Sequence, residues 1–429
     1  MNAADAPRDI ATRPAFESHD GELFCEQVAL AAIAQRFGTP TYVYSRRAIE
    51  QAYLAYANAL TGRRSLVCYA IKANSNLAIL DLLARAGAGF DIVSGGELAR
   101  VLAVGGDPRK IVFSGVGKLD REIEAGLRAN ILCFNVESES ELEQIARIAS
   151  NTGRRAPISV RVNPDVDAKT HPYISTGLRD NKFGVAYEDT VALYRKGAAS
   201  RHLEIVGIDC HIGSQITAVA PYVDAAERIL DLVDTLAREG IDLHHIDFGG
   251  GLGIRYGDET PPTAGELLSA LLTRVDARGY GNRTLMFEPG RSIVGSAGAL
   301  LTRITLLKQG ATRNFAIVDA AMNDLIRPTL YKAWMDVQPV LRRDGADVQY
   351  DIVGPVCESG DWLARERDLS VLPGDLLAFL GAGAYAMSMA SNYNSRGRAA
   401  EVIVDGDRAY GVRRREEVEE LFASESLLP

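Results

Sequence analysis

Between residues 65 and 290, short apolar runs alternate with longer amphipathic stretches at nearly regular intervals. Leu66–Ile71, Phe90–Val93, Ile111–Ser114, Leu132–Val136, Ile158–Val162, Ile205–His211, His245–Phe248 and Leu285–Phe287 read as strands. Gly96–Val104, Ser138–Ser150, Pro221–Arg238 and Ala264–Arg278 repeat apolar residues every three or four positions and read as helices. Near-continuous apolar strands alternating with helices belong in a parallel sheet whose outer face is covered. Eight such units predict an α/β fold, a (β/α)8 TIM-like barrel.

The flanks follow a different rhythm. Gly21 to Ser45 reads as strand, helix, strand, with Gly38-Thr39-Pro40 breaking the helix before Thr41–Ser45, and Arg47 to Leu60 reads as a second helix. After Arg291, Ala299–Lys308, Phe315–Asp319, Val348–Val353, Asp375–Phe379 and Glu401–Asp405 are strand-like and few helices intervene. A second, mainly antiparallel β domain is therefore expected. The predicted division is a barrel over residues 46–290 and a β domain from 1–45 with 291–429. The charged run Arg413 to Glu420 reads as a solvated helix face.

Composition narrows the possibilities. A 429-residue chain with 47% hydrophobic and 24% charged residues has an ordinary globular balance and room for two domains. Its net charge of -9 disfavours nucleic acid as a partner. No apolar run approaches the ~20 residues that cross a bilayer. The opening MNAADAPRDIATRPAFESHDGE has acids and no apolar core, so a secretory signal is not expected. Five cysteines without C-x-x-C spacing suggest neither a disulfide framework nor a metal site, and they fit the cytoplasm.

Candidate chemistry sits where the apolar strands end, the face on which such barrels carry their sites. These ends supply Lys72, then Asp91 with Ser94, Ser114, Asn135 with Glu137, Arg161 with Asn163, His211, Gly249-Gly250-Gly251 and Glu288. A polar or glycine residue at every one is hard to attribute to packing. Lys72 is placed for imine chemistry, because burial frees an amine's lone pair. A glycine turn lets backbone N–H groups approach an anion such as phosphate, although a tight turn is its commoner meaning. His211 is either a structural histidine or a flat ring able to lie on a planar cofactor. Glu288-Pro289-Gly290-Arg291 is either an ion pair across a turn or a carboxylate and a guanidinium aimed at ligands. An imine-forming lysine, a phosphate loop, a stacking ring and a carboxylate for a pyridine nitrogen together describe pyridoxal 5'-phosphate.

The motifs carry a family resemblance. Tyr69-Ala70-Ile71-Lys72-Ala73-Asn74, Phe90 to Leu98, His171 to Gly177, Asn181-Lys182-Phe183-Gly184, His211 to Gln215, Glu288 to Arg291 and Gly354 to Asp361 resemble the barrel-type (fold type III) pyridoxal-phosphate decarboxylases. Within that family they are most similar to the diaminopimelate decarboxylases, and the likeness extends to Gly381-Ala382-Gly383-Ala384-Tyr385. The resemblance implies an alanine racemase-like architecture and the decarboxylation of meso-2,6-diaminopimelate to L-lysine and CO2, the last step of bacterial lysine biosynthesis. It implies that Lys72 forms the imine and His211 stacks on the ring. By the same resemblance Asp91, Ser214, Gly249, Gly250, Gly251, Gly290 and Arg291 are implied to line the cofactor, Glu288 to face its ring nitrogen and Tyr385 to close over it. Arg291, Arg327 and Tyr331, with Tyr385, are implied at the substrate, whose distal carboxylate suits a guanidinium fork. Cys357 is implied as proton donor and Glu358 as reader of the distal ammonium. In the family these two come from a neighbouring subunit, so a homodimer with shared active sites is implied.

Rival readings are weaker. A decarboxylase of ornithine, arginine or lysine shares the lysine and histidine motifs but lacks a second substrate carboxylate to occupy Arg291 and Arg327. A racemase of the alanine type places arginine, not glutamate, at the ring nitrogen. The small pyridoxal-phosphate homeostasis proteins lack a second domain.

Overall fold

The computed structural model describes residues 14–167 and 181–429; the motif His171 to Gly177 lies outside the described residues. The chain forms two compact units. One takes in Tyr53–Arg255 and Glu259–Ser292; the other takes in the chain up to Ala52, with Tyr256–Asp258 and Ile293–Pro429. The division falls within the helix Arg46–Ala59.

The first unit is the eight-stranded parallel barrel that the alternation predicts. Its strands are β1 (Ser65–Ala70), β2 (Gly89–Ile92), β3 (Ile111–Phe113) and β4 (Cys133–Val136). They continue as β5 (Ala156–Asn163), β6 (Leu203–Cys210), β7 (His245–Asp247) and β8 (Thr284–Phe287). Each pairs with the next in chain order, and β8 returns to β1 through Leu285 opposite Ser65, closing the sheet without an edge. Capped helices cover it: Asn76 accepts from the Ala78 N–H, Ser94 from Glu97, Ser138 from Glu141 and Thr263 from Glu266.

Because side chains alternate across a strand, every second residue points into the barrel. The lower interior is apolar, built from Cys68, Val112, Cys133, Val206 and Met286. Strand β6 carries a bulge between Ile205 and Gly207, which sets Val206 out of pairing with β5. The extra residue shifts the alternation, so Val206 joins the lower core while Gly207, Asp209 and His211 also face inward. The hydroxyl of Tyr194 serves the irregularity: it donates to the Gly207 carbonyl at 2.7 Å and accepts from the Val160 N–H at 3.4 Å.

The second unit is mainly antiparallel. Gly298–Lys308 pairs with Leu376–Leu380, with Asn314–Val318 and with Thr41–Ser45. Thr41–Ser45 and Ala400–Asp405 run parallel, as do Asn314–Val318 and Val348–Val353. Strands expected at Val348–Val353 and near the other four positions are present, and Val337–Pro339, Trp362–Leu369 and Arg408–Arg413 add three more among the described residues. The run from Arg413 to Glu420 is not the solvated helix face its charges suggest. Arg413 ends a strand and pairs at 2.6 Å with the buried Glu401, Arg415 donates to the Thr41 hydroxyl at 3.3 Å, and helix is confined to Val418–Leu421. These arginines have buried acceptors to reach, and that outweighs helix propensity. Among the described residues no helix is long and apolar enough to cross a membrane.

Gly207 tests the interior packing. A Cβ there would lie 2.0 Å from His245 Nε2, in the volume the imidazole fills. Gly207→Ala is expected to destabilise the protein by about 1–3 kcal/mol, the usual cost of overpacking. Urea unfolding reads this directly, and a midpoint unchanged from wild type would refute the inward packing of β6 against β7.

Candidate functional site

At the carboxyl ends of the strands the barrel interior turns polar. Lys72 sits in a single helical turn, Ile71–Ala73, which directly follows the end of β1. Its ammonium forms an ion pair with Asp91 at the end of β2. Asp91 is fully buried while about a third of the Lys72 side chain is exposed (34%), so the lysine reaches the mouth and the aspartate anchors it from below. Ser94 and Asn76, by contrast, cap helices. Ser114 accepts from Asn135 at 3.0 Å within the barrel.

His211 accepts a hydrogen bond at Nδ1 from the Gly250 N–H, 3.2 Å away, so its proton resides on Nε2. Desolvation pushes its pKa well below the ordinary histidine value, and the charges of Arg161 and Lys72 act in the same direction. The imidazole is thus neutral at pH 7 and its ring orientation is fixed by the glycine turn.

The glycine run answers first to packing. A Cβ would come within 2.2 Å of the Cys210 carbonyl at Gly249, 2.0 Å of the Glu288 carbonyl at Gly250 and 2.2 Å of the Gly213 carbonyl at Gly251. Gly249 and Gly251 also adopt φ of +65° and +105°, where a side chain is strained. The Gly249 N–H is bound to Asp247 Oδ1 at 2.8 Å, so Gly249 and Gly250 brace the loop against Asp247 and His211. Beside this loop Arg291 donates to Ser214 Oγ at 3.0 Å. Gly290 lies against Ala70 and Ala73, where a Cβ would sit 3.1 Å from each methyl.

Glu288 is buried at the end of β8, and its Oε1 has no hydrogen-bond partner among the described residues. Burial raises its pKa well above the usual carboxylate range, reinforced by Asp91, Asp247 and Asp209. Asp209 and Asp247 were not singled out from the sequence, although each stands two positions before a residue that was, His211 and Gly249. Counting back by two along those strands is the signal that finds them.

A second buried network joins the strand-end residues Asn135, Glu137 and Arg161 to Lys118 and Glu141, which the strand ends do not point to, and holds the far wall. Lys118 Nζ contacts Glu141 at 2.7 Å and the carbonyls of Asn135 and Gly115 at 2.8 and 2.9 Å. Glu141 in turn accepts from the Glu137 N–H at 2.7 Å. The Glu137 carboxylate accepts from the Gly115 and Gly184 N–H groups and from Arg161, at 2.7, 2.9 and 3.3 Å. Arg161 also lies 5.0 Å from the Phe183 ring centroid.

The second unit holds the other candidates. Arg327 is buried with its guanidinium 5.0 Å from the Tyr256 ring and 5.8 Å from that of Tyr331. Four of the five cysteines are buried and Cys357 is exposed, so it is not a small core hydrophobe. The Cys357 N–H donates to Asn394 at 2.9 Å, and the adjoining turn is pinned by Asp361, which accepts from Met322 and Val356 at 2.6 and 2.8 Å. The exposed Glu358 receives the Tyr393 hydroxyl at 3.4 Å. Tyr385 is held at φ +53°, a strained conformation of the kind that clusters at functional sites.

An amine beside a carboxylate, a neutral ring held by the glycine turn and an unsatisfied buried carboxyl thus stand at the carboxyl ends of the barrel strands. A family model described as the pyridoxal binding domain of pyridoxal-dependent decarboxylases matches residues 46–295. The chain belongs to that family of pyridoxal-dependent decarboxylases. It is 61% identical to the diaminopimelate decarboxylase of Pseudomonas aeruginosa, over 96% of this chain and 99% of that protein. The Helicobacter pylori diaminopimelate decarboxylase complexed with L-lysine matches with a TM-score of 0.88 and 43% identity, over 92% of this chain and 99% of that one. The M. jannaschii diaminopimelate decarboxylase in co-complex with L-lysine matches with a TM-score of 0.92 and 38% identity, over 96% and 98%. The residues present fit pyridoxal phosphate, since the unsatisfied Glu288 Oε1 suits a protonated ring nitrogen and Lys72 suits its aldehyde.

Lys118 and Glu141 are both nearly inaccessible. Lys118→Met would leave the Glu141 carboxylate buried without its counter-charge, at a cost of about 3–5 kcal/mol. Denaturant titration should show most of that loss restored in Lys118→Met/Glu141→Leu; a single variant within about 1 kcal/mol of wild type would contradict the network's role.

Proposed function

We propose that this chain converts meso-2,6-diaminopimelate to L-lysine and CO2, closing bacterial lysine biosynthesis in the cytoplasm. The observation that carries the reading is the likeness, over nearly the whole chain, to diaminopimelate decarboxylases. The chemistry that pyridoxal phosphate supplies when bound is an electron sink for the pair left on the α-carbon as CO2 departs.

The chain's own residues do the rest. Lys72 would hold the cofactor covalently, with Asp91 setting the state of its amine. His211, neutral, would lie against the ring. Glu288 would meet the ring nitrogen, and Ser214, Gly290, Arg291 and the glycine loop would bind the phosphate end, with Gly251 best placed to offer its N–H. Arg291, Arg327 and Tyr331 are assigned to the substrate's distal carboxylate and Glu358 to its distal ammonium, while Tyr385 closes the site. Cys357 would return a proton to the α-carbon. Its exposure, with that of Glu358, supports delivery from a second copy of the chain, and hence a homodimer with shared active sites.

The substrate test supplies purified protein and pyridoxal phosphate with meso-diaminopimelate, L-ornithine, L-lysine or L-arginine in parallel, following CO2 and amines. Lysine formed from diaminopimelate alone is expected; a diamine from a basic amino acid would move the function to that class. Cys357→Ala should bind cofactor normally yet turn over roughly 10²–10⁴-fold more slowly, the range for a lost general acid. An unchanged rate would remove Cys357 from the mechanism.

A further inference from the structure

Three residues of the loop that follows β7, Tyr256–Asp258, belong to the second unit and not to the barrel. The first of them is buried, and its ring lies against a charge: the Arg327 guanidinium carbon stands 5.0 Å from the Tyr256 ring centroid. Tyr331 flanks the same guanidinium at 5.8 Å. Arg327 and Tyr331 open and close one short helix, Arg327–Tyr331, so a spacing of four puts their side chains on one face. Tyr256 reaches that guanidinium from a loop far earlier in the chain.

The chain just ahead of Tyr256 is pinned within the first unit. Gln215 donates from Nε2 to the Ile254 carbonyl at 2.6 Å, and its Oε1 accepts the Ile254 N–H at 3.1 Å. The Gly253 N–H donates to the Ile216 carbonyl at 3.0 Å, and the Ile216 N–H donates to the Gly251 carbonyl at 3.0 Å. Both backbone groups of Ile254 are therefore fixed two residues before Tyr256, which leaves Tyr256 few backbone conformations.

We propose that Tyr256 is a positioning residue that selects for the substrate's second carboxylate by holding the Arg327 guanidinium ready to receive it. The inference rests on the assignment of Arg327 to that carboxylate. An arginine side chain has many rotamers, and freezing them on binding subtracts from affinity. Aromatic contact fixes the guanidinium beforehand and takes water from its face. Its N–H groups still point outward in the plane of the fork, where a carboxylate meets two parallel hydrogen bonds. The same contact penalises the wrong substrate. A basic amino acid with no carboxylate at this position would leave a desolvated guanidinium without an anion, so it is rejected as the dicarboxylate is favoured.

Two ligands separate this role from a structural one. L-Lysine, the product, keeps the second carboxylate and its amine; cadaverine has the same carbon chain and amines but no carboxylate. The test compares the holoenzymes of wild type, Tyr256→Phe, Tyr256→Leu and Arg327→Gln in turnover of meso-diaminopimelate and in inhibition by L-lysine and by cadaverine. In Tyr256→Leu the KM for diaminopimelate and the inhibition constant of L-lysine should rise together, by about 5–30-fold, the range for a desolvated cation–π contact. The loss should fall on KM more than on kcat, and inhibition by cadaverine should not follow it. Tyr256→Phe keeps the ring face and should stay within about twofold of wild type. A loss in Tyr256→Phe equal to that in Tyr256→Leu would trace the effect to the hydroxyl and overturn the inference. So would a Tyr256→Leu variant that weakens cadaverine as much as L-lysine. Arg327→Gln weakening L-lysine while Tyr256→Leu does not would overturn the inference and leave the Arg327 assignment standing. Unchanged L-lysine inhibition in Arg327→Gln would overturn that assignment, and the inference with it. If Tyr256→Leu does not fold, fluorinated phenylalanines at position 256 decide, since fluorine drains the ring face at nearly constant shape. L-Lysine inhibition that weakens with each added fluorine supports the proposal, and a flat series refutes it.

Discussion

Charge buried inside a closed sheet is the constraint on which this structure turns. Desolvating a carboxylate or an ammonium costs several kcal/mol even after relaxation, and a buried pair rarely outperforms apolar packing. The upper barrel nevertheless holds Lys72, Asp91, Glu137, Arg161, Asp209, Asp247 and Glu288. An interior filled with branched apolar residues would make a more stable barrel. The polar set costs stability as packing, the trade expected where a binding site is built into a core. The remaining features follow: Lys118 and Glu141 hold Glu137, Glu137 holds Arg161 and Gly184, and the glycine turn fixes His211.

Most of the fold was legible because helix and strand periods alternate cleanly from Ser65 to Phe287. What escaped had specific causes. Reading strands as apolar runs marked their ends but not their inner faces, so Asp209 and Asp247 went unnoticed behind His211 and Gly249. The bulge at Val206 hides the alternation further, since it puts an apolar residue and, one place later, a glycine on the same inner side. Trp362–Leu369 was missed because its charged residues mask a strand that pairs antiparallel with Val348–Val353. The C-terminal arginines looked solvated because the acids that receive them, such as Glu401, are close only in space. Ser94 was found as a polar strand end and proves to be a helix cap, a role that sequence position alone does not separate from ligand binding.

The second unit shows a complementary logic. Its sheet core of Val43, Leu301, Ala378 and Val402 is apolar. The candidates Cys357, Glu358 and Tyr385 lie outside it, on turns stabilised by Asp361 and Asn394 or held at positive φ. Rigid packing thus carries polar groups at its margin, while the barrel buries its own.

Lys72, just past the end of β1, is the residue to which we propose the cofactor attaches. Holoenzyme reduced with borohydride, digested and mapped by mass spectrometry tests it directly. A single pyridoxyl group, on the peptide containing Lys72, is expected. A pyridoxyl group on any other lysine, or none on a protein that binds pyridoxal phosphate and is active, would contradict it.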